Sequence, residues 1–154
     1  MALGDTAGAI ADYQQALSLG KAVPDETQAN IYNDLGVAYL AQAQPVVAVA
    51  YLDQAIFLNH DDPRAYFNHG CACHHRGDNL TALASFEQAL ALDPTHAETY
   101  LNRAMVRGEL GDQRGAMTDL QQAQTYFQQR GDQRGSNQAR SLLMQWQRQS
   151  IAIG

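Results

Sequence analysis

Cationic charge is scarce: one lysine, Lys21, stands in the 154 residues, and the other nine cations are arginines. No run of Lys or Arg forms anywhere, so the electrostatic footprint of a phosphate backbone is missing. With a net charge of −6, nucleic acid and anionic membrane surfaces are not expected partners. Charge of either sign is low, at 17%, and glutamine, with 18 copies, supplies much of the polar surface. Long apolar runs are also lacking. Nothing approaches the roughly 18 apolar residues of a spanning helix, so membrane insertion is not expected. Met1-Ala2-Leu3-Gly4-Asp5 has neither the basic start nor the apolar stretch of a secretion signal, which leaves a cytoplasmic location as the expectation. Only two cysteines occur, Cys71 and Cys73. On a helix they diverge by about 200°, which rules out a disulfide between them.

What the chain does have is a period. Three segments begin 34 residues apart, at Ala29, Pro63 and Ala97. The first carries Tyr32, Leu35-Gly36, Tyr39, Ala48, Leu52 and Ala55. The second carries Tyr66, His69-Gly70, Cys73, Ala82, Phe86 and Ala89. The third carries Tyr100, Arg103-Ala104, Arg107, Ala116, Leu120 and Ala123. Within each, apolar and small residues fall at helical spacing in two blocks joined by a short turn. Gly77-Asp78 and Gly111-Asp112 mark two of those turns: Gly takes a left-handed C-terminal position and Asp caps the next helix. In the first segment Ala43-Gln44-Pro45 stands there, and Pro opens the second helix. Asp62-Pro63 starts a helix in the same manner, and Thr95 with Glu98 reads as a capping box. Small residues at Gly36, Gly70 and Ala104, and at Ala48, Ala82 and Ala116, let the two helices of a pair approach closely.

This pattern resembles the tetratricopeptide repeat. The resemblance implies an all-α, right-handed superhelix of antiparallel helix pairs with full repeats at 29–62, 63–96 and 97–130. Residues 1–19, with Leu3-Gly4-Asp5, Ala9-Ile10, Tyr13 and Ala16-Leu17, read as the second helix of an incomplete repeat, so the chain is expected to be a fragment of a longer array or to be completed by a neighbouring chain. A longer connection is expected within Leu19–Gln28. Residues 132–150, with Ala139, Leu142, Leu143 and Trp146 on one face and Arg140, Gln145, Gln147 and Arg148 elsewhere, read as a capping helix. All of it forms one domain. Gln-rich, Lys-poor repeats of this kind are similar to those of many bacterial members.

The resemblance also places a concave groove on the first helix of each repeat and implies a scaffold that binds a protein or peptide there, not an enzyme. The groove positions include Asn33, Asp34 and Val37; Arg64, Phe67, Asn68, Cys71, His74 and His75; and Leu101, Asn102, Met105 and Glu109. Asp34, Asn68 and Asn102 share one place, which is similar to the asparagine ladder of the glycosyltransferase that attaches N-acetylglucosamine to proteins. A carboxamide both donates and accepts, so it pairs with both polar groups of an extended peptide backbone. Phe67, Leu101, Val37, Leu40 and Met105 read as an apolar floor for ligand side chains, with helix–helix core as the equal alternative for Phe67 and Leu101. The family's carboxylate clamp does not fit: only Asn68 matches, while Asn33, Val37, Glu98 and Asn102 depart from it.

Three further readings stay open or closed on simple chemistry. Cys71, His74 and His75 fall on one helix face at spacings of three and four, a set able to bind zinc, with Glu109 as a fourth candidate. The competing readings are groove lining and small-residue core, and no metal or other cofactor is expected. The incomplete first repeat points to self-association through the N-terminal face as an alternative function. Catalysis lacks a constellation: the Gly111–Gly115 and Gly131–Gly135 turns have no phosphate-binding lysine.

Overall fold

The computed structural model describes residues 3–19 and 23–153, and among these there are eight helices and no strand. They are α1 (Leu3–Ser18), α2 (Asp25–Ala41), α3 (Pro45–Leu58), α4 (Pro63–His75), α5 (Asn79–Leu92), α6 (Ala97–Glu109), α7 (Gln113–Gln129) and α8 (Gln133–Ile153). The period of 34 is visible in the starts of α3, α5 and α7 and again in those of α4 and α6. α2 packs on α3, α4 on α5 and α6 on α7; the pairs stack through α3 on α4 and α5 on α6, with α1 against α2 and α8 against α7.

Small residues set the spacing of each pair. Ala48, Ala82 and Ala116 are fully buried, as are Leu52, Phe86 and Leu120 four residues on. Gly70 lies under the Phe86 ring, where a Cβ would come within 2.6 Å of ring carbon. Gly36 meets Leu52 in the same manner. Burying one such Phe or Leu stabilises the fold by about 1.5–3 kcal/mol, and the glycine is what lets the ring reach its place.

The turns follow the chemistry of their residues. Gly77, Gly111 and Gly131 have φ of 85°, 86° and 79°, the left-handed region that costs glycine nothing. The amide of the next residue, Asp78, Asp112 or Asp132, then donates back into the preceding helix, to Cys73, Arg107 and Phe127 oxygens. Each of those aspartates caps the following helix, accepting from Thr81, Gly115 and Gly135 amides respectively. Ala43 occupies the same turn between α2 and α3 with φ 56°, so here a side chain sits in the strained region.

One local expectation is narrowed and one corrected. α2 begins at Asp25, ahead of the repeat boundary at Ala29 and inside the stretch expected as a longer connection: Pro24 pre-sets the entry, its carbonyl accepts from the Gln28 amide, and Asp25 and Glu26 lie favourably in the first turn. The capping box at Thr95 does not form. The Thr95 amide and hydroxyl both donate to Asp93 Oδ1, α6 starts one residue later behind His96, and Glu98 turns to Arg130 instead. α8 buries Ser136, Ala139 and Leu143 against the last pair and leaves Arg140, Gln145, Gln147 and Arg148 exposed.

Candidate functional site

The groove positions named from the sequence lie on α2, α4 and α6, and the structure distributes them over three places. The first lies between the middle of α2 and the N-terminal halves of α4 and α6. Asn33, Arg64, Phe67 and Asn68 border a cavity of about 180 Å³ with Asp93, His96 and Thr99. Asn33 is buried, at 4% exposure, and its side-chain oxygen accepts from Asn68 Nδ2 at 2.9 Å. Arg64 is held by Asn30 at 2.8 Å and by Asp62 at 2.7 Å. The Phe67 ring meets His96 edge-on at 4.9 Å and Phe86 at 6.2 Å, so it joins the core to the cavity wall.

The second place is a trough of about 590 Å³ lined by α4, α6 and α8. His74 and His75 come from the end of α4, Leu101, Asn102 and Met105 from α6, and Gln138, Ser141 and Leu142 from α8. Gln138, Ser141 and Leu142 were not named as groove lining from the sequence, where this helix reads as a cap with a partner-binding helix as the alternative; their signal is their helical spacing on a face beside the core stripe. Asn102 Nδ2 rests on the Cys71 sulfur at 3.8 Å, a weak bond that leaves the carboxamide free to take a stronger partner. No Lys, Arg, Asp or Glu borders the trough.

The third place is a cleft of about 220 Å³ between α1 and α2, where Asp34 and Val37 face Thr6, Ala9 and Tyr13. The Tyr13 hydroxyl donates to Asp34 Oδ2 at 3.1 Å, and both the burial and the carboxylate raise the pKa of that phenol. Asp34, Asn68 and Asn102 therefore share a repeat position but have different partners: Tyr13, Asn33 and Cys71.

The Cys/His set is not assembled as a metal centre. Among the described residues no three His, Cys, Asp or Glu side chains are placed to hold an ion. Burial pushes the Cys71 thiol up to about 12, so its sulfur stays protonated. His74 instead pairs with Glu109 at 2.9 Å, and Asn79 donates to the other Glu109 oxygen at 2.9 Å. These bonds hold the Glu109 carboxyl below its ordinary range, the His74 contact most of all; the group joins the end of α4 to that of α6 and the start of α5.

Two polar groups anchored on buried side chains carry structure. Asp53, His69 and Ser85 form a chain across α3, α4 and α5, with His69 Nε2 3.1 Å from Asp53 and Nδ1 2.7 Å from Ser85. The composition is that of a hydrolase triad, but Ser85 is buried and its hydroxyl donates to the Thr81 carbonyl. The chain fastens three helices. Asp119, at 1% exposure, takes both Arg103 nitrogens at 2.7 and 2.9 Å and Arg107 at 3.0 Å, which is how arginines come to occupy the Leu35 and Tyr39 places of the third pair.

Residues 33–97 and 85–118 match two family models, both described as tetratricopeptide repeat. The chain belongs to the tetratricopeptide-repeat family. Its fold is the all-α superhelix of that family. Among solved structures it is similar to MamA, with a TM-score of 0.71 and 19% identity over 97% of this chain and 92% of that one. It is similar to YrrB, described as a TPR protein with an unusual peptide-binding site, with a TM-score of 0.74 and 23% identity over 90% of this chain and 67% of that one. It is similar as well to the TPR2B domain of yeast Sti1 in complex with an Hsp70 peptide, with a TM-score of 0.75 and 20% identity over 79% and 98%. No curated protein matches the sequence. The family is generally a non-enzymatic scaffold, and no helix among the described residues is long and apolar enough to cross a membrane.

Proposed function

We propose that the chain is a protein–protein interaction scaffold holding an extended peptide or partner segment in the trough between α4, α6 and α8. The observation that carries this reading is the trough itself. Leu101, Met105 and Leu142 offer an apolar floor, and Asn102 and Gln138 offer carboxamides at its edge. Such a lining takes apolar side chains between the helices and pairs amides with the peptide backbone. The solved relatives that hold peptides support the class of partner. Asn102 is the rung of the three with the weakest existing bond, so it is the one assigned to the ligand; Asn68 is spent on Asn33.

Because the lining described holds no Lys, Arg, Asp or Glu, binding is expected to change little with salt. The test begins with peptides selected by the chain from a random displayed library. Asn102→Ala is expected to weaken a selected peptide about fivefold, the loss of one net hydrogen bond. Leu142→Asp sets a charge on the floor at a side chain that also packs against the last core cluster; it is expected to abolish binding while circular dichroism shows the helices retained. Selected peptides that bind the Leu142→Asp variant unchanged would place the site elsewhere.

A further inference from the structure

The two ends of the stack are unlike in shape and opposite in charge. Counted from Gly4-Asp5 and Gly77-Asp78, the α1 residues Ala9, Tyr13 and Ala16 stand where α5 has Ala82, Phe86 and Ala89. In α5 all three are buried beneath α4, with Gly70 against the ring. On α1 the same three are only half-buried, and the cleft beside them has Val37 exposed on its α2 wall. Asp34 lines this cleft, and Asp12 is exposed on α1; residues 1–62 as a whole contain eight acidic side chains and a single lysine.

The other end reverses this. α8 carries Arg134, Arg140 and Arg148 and no acidic residue. Its outward stripe runs through Asn137, Arg140, Met144, Arg148 and Ile151, a set at helical spacing on neither the core side nor the trough side. Met144 is 46% and Ile151 80% exposed. An apolar pair interleaved with arginines is the complement of an apolar cleft that holds Asp34 and belongs to a helix exposing Asp12.

We propose that α8 of one copy docks on the α1–α2 end of a second copy, with Met144 and Ile151 against Ala9, Tyr13 and Val37, and Arg140 and Arg148 against Asp12 and Asp34. The contact is head-to-tail, so each copy keeps one free end of each kind and the assembly grows instead of closing as a dimer. It uses no residue of the trough floor and stands independently of the peptide-binding reading.

Sedimentation velocity on the full 154-residue chain over a concentration series tests it. The wild type is expected to form dimers and larger species that dissociate as salt rises. Asp12→Arg alone, and Arg140→Glu/Arg148→Glu alone, are each expected to raise the dissociation constant on the order of tenfold. All three residues are exposed, and circular dichroism checks that both variants keep their helices. Mixing the two variants in equal amounts is expected to restore association, because every head then meets a tail of opposite charge. A wild-type chain that stays monomeric into the millimolar range overturns the proposal, as does association that survives both reversals or that mixing fails to restore.

Discussion

His69 sits in the core between Asp53 and Ser85, and its burial there lowers its pKa below the ordinary 6.5 against the opposing pull of Asp53. The unfolded chain then binds a proton more readily than the folded one. Stability attached to His69 is complete above pH 6.5 and drains away as pH falls from that value through the folded pKa. Chemical denaturation of the wild type is expected to show this loss as pH falls below the ordinary 6.5, and a His69→Gln variant is expected to show a flatter profile. Asp78, Asp93 and Asp132, whose pKa values are lowered by the bonds they accept, release their share only in more acid solution. Asp119 offers a sharper test. Asp119→Ala strands Arg103 and Arg107 around a vacated, buried position and is expected to cost about 3–5 kcal/mol in a urea melt. A loss below 1 kcal/mol would mean that water reaches those guanidiniums.

Helices and turns are where the sequence was most and least legible. Gly77 and Gly111 announced their turns because only glycine takes that backbone freely, and the alanines and glycines of the pair interfaces announced themselves through the period. Ala43 was opaque: the turn needs the left-handed residue for its hydrogen bonds, such as Gln44 N to Tyr39 O at 2.9 Å, whether or not a glycine is available. Ala43→Gly is therefore expected to stabilise the fold by about 1 kcal/mol, read as a raised thermal midpoint. At the pair interface, Gly70→Ala is expected to destabilise by about 1–3 kcal/mol through the Phe86 ring. Gly70→Ala with Phe86→Leu reproduces the Ala104 and Leu120 pairing and is expected to recover part of that loss in a double-mutant cycle. The Thr95 capping box was misread because Asp93 competes for the same threonine. Pairing within the groove was hidden for a related reason. A repeat position tells which face a side chain is on, not that Asn33 turns its oxygen to Asn68 or that Tyr13 reaches Asp34.

At the scale of the whole molecule, stacking three helix pairs between a first helix and a long last one creates the trough and the two contrasting ends. α8 is central to both, since one side lines the trough with Gln138 and Leu142 and another presents Arg140 and Arg148 outward. The trough is the claim that matters most, and residue-resolved NMR of the labelled chain tests it directly during titration with a library-selected peptide. The account predicts that the amide shifts gather on the ends of α4, the middle of α6 and the 138–142 stretch of α8, and that they persist at high salt. Shifts gathered on the cleft between α1 and α2, or on the outer face of α3, α5 and α7, would contradict it.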